Sequence, residues 1–265
     1  MNNNSVVYVL GSGASLLNLT QQEKEFLSTQ TTIGMNKYFL FWDKIGIFPT
    51  HFFLADHALS YPCFKVFQET YKIIKKSEKE TYYLLDDSYR LAFNKKGLKN
   101  FRAYGKMISE YLKHKDLFDP FIEIKNVIYF KRMHDFNAPL EWGKSLDENL
   151  FFYRGSLTVL INLLSLLSLG NTIKLLGIDL NSRESFYQDE IDKRSDLWDI
   201  HRFEEIQNKQ NFHATAMIRE GQLGIQSQWK FLNENAQKFG KTIVCCNPKS
   251  LLIQENLCEY RPIIE

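Results

Sequence analysis

"VVYVLGSGASLLNL", residues 6–19, is the stretch on which the fold turns. Val6 to Leu10 form an apolar run with no polar alternation, as expected of a parallel strand buried on both faces. Gly11-Ser12-Gly13 then turns the chain, and the following residues read as a first helix. A glycine turn between a first strand and a helix N-terminus is the usual seat of a phosphate, because backbone N–H groups converge there. A P-loop would place Lys-Ser/Thr behind the second glycine; Gly13 is followed by Ala14-Ser15-Leu16, which excludes it. A dinucleotide fold wants a third glycine where Leu16 stands and an acid closing the second strand. That strand closes on Gly34-Met35-Asn36-Lys37, so NAD is argued against. A nucleotide-phosphate turn survives, with Gly11, Ser12, Gly13 and Ser15 as its candidate contacts.

Further strands are expected at 31–36, 50–56, 81–87, 126–130, 173–180 and 242–247. Helical segments lie between them at 21–28, 61–76, 101–114, 156–169 and 224–239. Strand alternating with helix predicts an α/β fold with a doubly wound, mostly parallel, Rossmann-like sheet. No repeat and no linker-like segment breaks the chain, so residues 1–265 read as one domain. Residues 88–125 read as a helical excursion on the sheet. Residues 181–223 are too polar for core and too long for an idle connection, and are expected to form a lid or active-site loop. Such sheets bind ligands at the carboxyl ends of their strands. Asn36, Asp56, Asp179 and Asn247 all stand where apolar strands give out, and together they suggest a polar ligand rim.

Hydrophobic residues make up 44% of the chain and the net charge is +2, so composition gives no case for nucleic-acid binding. Basic runs at 71–80 and 94–100 suit solvated helix faces or contact with an anionic membrane surface. The four cysteines, Cys63, Cys245, Cys246 and Cys258, form no CxxC pair and read as reduced core thiols. "MNNNS" is not a signal peptide, and the longest apolar stretch, 157–170, is too short to span a bilayer. The expectation is a soluble, cytoplasmic protein.

The order of these motifs resembles a known family, the small bacterial sialyltransferases of the family 42 type, which are GT-A-like single-domain enzymes using CMP-sialic acid. Their opening Gly-Asn-Gly-Pro-Ser-Leu turn is similar to Gly11–Leu16 here. An Asn closing their second strand is matched by Asn36, and one closing the third falls on Asp56. An Arg followed by small hydroxyl residues, an apolar helix and a Gly-Ile-Asp strand end are matched by Arg154, Ser156 and Gly177-Ile178-Asp179. Their late Cys-Pro-Asn-Ser-Leu-Leu resembles residues 245–252, with Asn247.

The resemblance implies a metal-independent, inverting transferase with no cofactor beyond the CMP-activated donor. His213 falls on the family's catalytic base, and Tyr187 on a tyrosine that holds the departing phosphate. Asp179 falls on the nucleoside-contacting carboxylate, and Arg154 would pair with an anionic group of donor or acceptor. Three departures stand out: Ser12 replaces Asn, Asn181 replaces a second phosphate-binding tyrosine, and Asp56 replaces Asn beside the donor sugar. Asn181 would take part of that tyrosine's task. Asp56 would repel a sugar carboxylate unless it binds a hydroxyl, so the donor need not be ordinary sialic acid. CMP-Kdo is the alternative donor, and a non-catalytic sugar-nucleotide binder is the rival of a different class. The implied acceptor is a surface glycan or glycolipid such as lipooligosaccharide or capsule. Peripheral contact with the inner membrane face and homo-oligomers are compatible with it. His51 and His57, flanking Asp56, read as sugar or acceptor contacts rather than as metal ligands.

Overall fold

The computed structural model describes residues 5–56, 61–92, 124–132, 140–182, 184–194, 213, 215–217 and 223–265. The strands are β1 (Val6–Leu10), β2 (Thr31–Met35), β3 (His51–Leu54), β4 (Tyr82–Asp86), β5 (Val127–Arg132), β6 (Asn149–Leu150), β7 (Thr172–Leu176), β8 (Thr242–Cys245) and β9 (Glu259–Tyr260). They form one nine-stranded sheet in the order β6-β5-β4-β3-β2-β1-β7-β8-β9. Every pair in it is parallel. The chain starts at β1, steps outward to β6, then returns to lay β7 on the other side of β1. The direction of winding therefore reverses between β1 and β7, which is the doubly wound arrangement expected from the sequence. A crevice opens at such a reversal, at the carboxyl ends of the two strands.

The helices are α1 (Gln21–Leu27), α2 (Trp42–Ile45), α3 (Tyr61–Ser77), α4 (Ser88–Ala92), α5 (Ser156–Leu166), α6 (Gln188–Ile191), α7 (Trp229–Lys238) and α8 (Leu251–Gln254). Alternation along β1 assigns the two faces of the sheet. Val7 and Val9 pack with Ile33, Leu84, Ile173 and Leu175 against α5 and Trp229 of α7. Tyr8 and Leu10 pack on the other face with Phe52, Leu54, Phe64 and Phe67. Thr20 and Glu23 close α1 with a reciprocal capping box. Across α5 the buried Asn162 ties Gly143 and Phe151 to the helix through its amide.

Several expected boundaries shift. The chain after Gly13 is a five-residue 3-10 turn, Ala14–Asn18, rather than an α-helix. The strand expected at 173–180 leaves the sheet after Leu176, which frees Gly177–Leu180 to line the crevice. Two short edge strands, β6 and β9, carry too few residues to show a pattern in sequence. The helix expected at 101–114, His57, the basic run 94–100 and most of the 181–223 loop lie outside the described residues. Among the described residues, no helix is long and apolar enough to cross a membrane.

Candidate functional site

The β1–β7 reversal is where the glycine turn meets the Gly177–Asp179 segment. Gly11 N–H donates to Leu176 O at 2.8 Å, and Gly13 N–H to Gly177 O at 2.7 Å. Asp179, 7% exposed, closes the seam. One of its oxygens accepts from Ser15 N–H at 2.9 Å, and the other from Ser15 Oγ at 2.5 Å and Asn247 Nδ2 at 2.7 Å. A carboxylate has about four lone-pair sites, and three are used here inside the protein. Asp179 is thus the pin that joins the ends of β1, β7 and β8. Gly13 must be glycine, because a Cβ there would run into the Asp179 carboxylate. Gly11, Gly13 and Ser15 use their N–H groups to build the seam.

A second segment clasps the turn from outside. Ser185 forms an antiparallel bridge with Gly13, and Phe186 N–H donates to Ser12 O at 2.9 Å. Tyr187 follows, stacked on Phe41 at 4.6 Å between ring centroids. Burial raises the Tyr187 hydroxyl well above its ordinary pKa, with the Ser12 side-chain hydrogen bond opposing and the Asp56 charge reinforcing the shift. Tyr187 is therefore a permanent O–H donor beside Ser12 across the working pH range. Asn181 donates from Nδ2 to Lys249 O at 2.5 Å, tying the strand end to the turn before α8.

The far wall comes from β2 and the start of α5. Asn36, immediately after β2, donates to Ser156 Oγ at 3.2 Å across 120 positions of sequence. Its side-chain carbonyl oxygen is buried without a hydrogen-bond partner among the described residues. A buried acceptor left open in this way costs free energy until a donor reaches it. Gly155 is the N-cap of α5, so the first N–H groups of that helix have no side-chain cap. Arg154 donates from Nη2 to Met217 O at 2.7 Å.

His213 is attached to this wall from both sides. Its N–H donates to Leu180 O at 3.0 Å, one residue past Asp179, and its carbonyl accepts Ala216 N–H at 2.8 Å. Nδ1 lies 2.8 Å from Thr215 Oγ1. Burial holds the imidazole below the ordinary histidine value, while the Asp179 carboxylate opposes that shift. Backbone strain gathers here as well. Asn36, Arg154 and Leu180 have φ of 50°, 61° and 61°. Non-glycine residues pay for the left-handed region, and such strain collects at functional positions.

Thus Gly11, Ser12, Gly13, Ser15, Gly177, Asp179, Asn181, Tyr187 and Asn247 meet at the seam, and Asn36, Arg154, Ser156 and His213 at the adjoining wall. Asp56 lies two residues past β3, its charge acting on Lys37 and Tyr187. Burial lowers the Lys37 ammonium pKa and Asp56 opposes the shift. Lys37 is the site residue that sequence reasoning passed over, although it directly follows Asn36. A second polar pair on the same rim was also missed: Asp86, ending β4, accepts from Arg132 Nε on β5 at 3.2 Å. His51 is a correction. It opens β3 at the amino edge of the sheet, stacked on Tyr82 and bonded to Thr50, at the opposite end of the strand from the rim. It cannot contact a ligand held there. Among the described residues, no group of three or more His, Cys, Asp or Glu is placed to hold a metal.

No protein-family model and no curated protein matches the chain. A solved structure of the sialyltransferase CstII from Campylobacter jejuni, in complex with the substrate analogue cytidine-5'-monophosphate, is similar over 98% of this chain and 86% of that one, at 16% identity and a TM-score of 0.44.

Proposed function

We propose that this chain is an inverting glycosyltransferase that moves a nonulosonic acid, sialic acid or a relative, from a CMP-activated donor to a hydroxyl of a glycan acceptor. The observation that carries this reading is the convergence at one strand-reversal crevice of residues from the glycine turn, Asn36, Arg154, Asp179, Tyr187 and His213, widely separated in sequence. The donor lies with its phosphate toward Tyr187 and Ser12 and its sugar toward Asn36 and the start of α5. His213 takes the proton from the acceptor hydroxyl as its oxygen bonds to the anomeric carbon. The bond from that carbon to the phosphate oxygen breaks at the same time, and CMP leaves. Tyr187, held protonated by burial, donates to the oxygen on which charge collects. Arg154 and the uncapped start of α5 favour an anionic group of the donor. The electrostatic coupling of Lys37 to Asp56 lessens the repulsion that Asp56 would exert on a carboxylated sugar.

Hydrogen-bond donors supply the charge stabilisation in this scheme, and it requires no metal. The reading is tested by incubating the protein with CMP-sialic acid and with CMP-Kdo and following CMP release with a glycan acceptor. Release that depends on the acceptor and disappears in His213→Ala supports it. A wild-type protein that binds CMP but releases none from either donor would favour the non-catalytic binder.

A further inference from the structure

The ion pair at the ends of β4 and β5 takes no part in the catalytic scheme above. Asp86 closes β4 and Arg132 closes β5, neighbouring parallel strands with Asp86 opposite Phe130. Leu84 and Phe130 pack on the α5 side of the sheet, and side chains alternate along a strand, so Asp86 and Arg132 share that side. The Asp86 side chain is 3% exposed and that of Arg132 10%. Desolvating two charges costs about as much as their attraction returns, so stability alone gives little reason for the pair.

The guanidinium is fixed from two directions and open on a third. Its Nε donates to Asp86 Oδ2 at 3.2 Å, and Phe152 covers its face with the ring centroid 4.9 Å away. Asp86 is held in turn, because its other oxygen accepts from Ser88 N–H at 3.0 Å and from the Ser88 hydroxyl. The remaining N–H donors are those of the two Nη groups. Among the described residues they meet no acceptor, and neither nitrogen is sealed from water. A planar fork locked at its base, with its tips in water, has the geometry that receives a carboxylate or phosphate through parallel N–H bonds.

The fork is tied to the crevice by a single segment. Arg132 pairs with Leu150 of β6, and the chain continues through Phe152 and Arg154 to Ser156, which bonds Asn36. One end of this segment covers Arg132 and the other builds the wall. In the sheet β5 stands three strands from β2, about 14 Å at the usual strand spacing. That is too far for the sugar in transfer, held at Asn36, and suits the next sugar of an acceptor lying along the rim.

We infer that Arg132 anchors an acceptor subsite for an anionic substituent, carboxylate or phosphate, on the sugar next to the one that receives transfer, with Asp86 and Phe152 as its positioning residues. This rests on the transferase reading of the crevice. A neutral acceptor leaves the fork in water, whereas an anionic one takes up its open N–H groups.

The test compares three acceptors built on one disaccharide: uncharged, extended by a uronic acid, and carrying a phosphate monoester. Calorimetry follows the binding of each to the protein with and without CMP, and kinetics follow transfer from CMP-sialic acid and CMP-Kdo. The wild type should bind a charged form about 30-fold more tightly than the uncharged one, and the form preferred names the anion. Arg132→Gln should erase that preference and raise the KM of the charged acceptor by a similar factor, with kcat little changed. Should Arg132→Gln fail to fold, Arg132→Gln combined with Asp86→Asn keeps a neutral hydrogen-bonding pair and should show the same loss. A wild type with no preference for either charged form overturns the inference, and needs no variant. A preference that survives in either folded variant overturns it too, and makes the pair a structural one. A preference that depends on Arg132 in a protein that transfers from neither CMP-sugar would leave the subsite standing and remove the transferase reading instead.

Discussion

At the β1–β7 seam the Asp179 carboxylate, the Ser15 hydroxyl and the N–H groups of Gly11, Gly13 and Ser15 are satisfied inside the chain. Across the crevice, Asn36 keeps a buried carbonyl oxygen open, and Asn36 and Arg154 sit in left-handed backbone. The first region is finished without a ligand; the second is held at a cost that a ligand would offset. A glycine turn that looks from its sequence like a phosphate cradle is here chiefly a joint. In the proposed reaction the chemistry belongs to the wall beside it and to Tyr187, which the joint holds in place. Mutations should therefore separate: seam changes lower stability, whereas wall changes lower binding or turnover and leave stability nearly alone.

The largest separation is expected at His213. His213→Ala should lower kcat about 10³-fold, the scale of losing a positioned base. Its urea midpoint should stay close to wild type and its affinity for CMP should be unchanged. Equal losses of affinity and turnover would place His213 in binding rather than in proton transfer. Activity should also persist below the ordinary histidine range as pH falls, because burial favours the neutral, basic imidazole. An acid limb of kcat/KM centred above pH 6.5 would contradict that.

Gly13→Ala is the counterpart at the seam. The added methyl meets the Asp179 carboxylate, and forcing it in should destabilise the fold by about 3 kcal/mol, read from urea unfolding. A loss under about 1 kcal/mol would mean that the joint can open. His51, at the far edge, extends the contrast to pH. It is buried and neutral, with a folded pKa of about 4 against 6.5 for a free histidine, the cause being burial. The unfolded chain therefore takes up this proton first. Stability is fully present above pH 6.5 and should fall by up to about 3 kcal/mol as pH drops toward 4. His51→Gln should flatten that dependence. The smallest effect is at Asn36. Asn36→Gly loses the Ser156 bond but also the open carbonyl and the strained φ, so stability should change by less than about 1 kcal/mol. Ligand affinity should nevertheless fall; an Asn36→Gly protein that binds CMP-sugars normally would remove Asn36 from the site.

The sheet was legible because its central strands are continuous apolar runs that only burial on both faces explains. β6 and β9 were not, since a two-residue edge strand is defined by its partner and not by its own pattern. The strand ends Asn36, Asp56, Asp179 and Asn247 were readable as a rim, because parallel strands put all their carboxyl ends on one side. Their division of labour was not readable. That Asp179 is a pin follows from Ser15 and Asn247 arriving from other strands, over 164 and 68 positions. Lys37, Asp86 and Arg132 carried no motif, and only the packing of distant segments reveals them.

The most direct measurement is a calorimetric titration of the wild-type protein with CMP, without added metal, against UMP, GDP and NAD. Selective binding of CMP, kept in His213→Ala, is the result this account predicts. Equal or absent binding of CMP beside the other nucleotides would contradict it, leaving the β1–β7 seam as a structural joint beside a crevice for some other ligand.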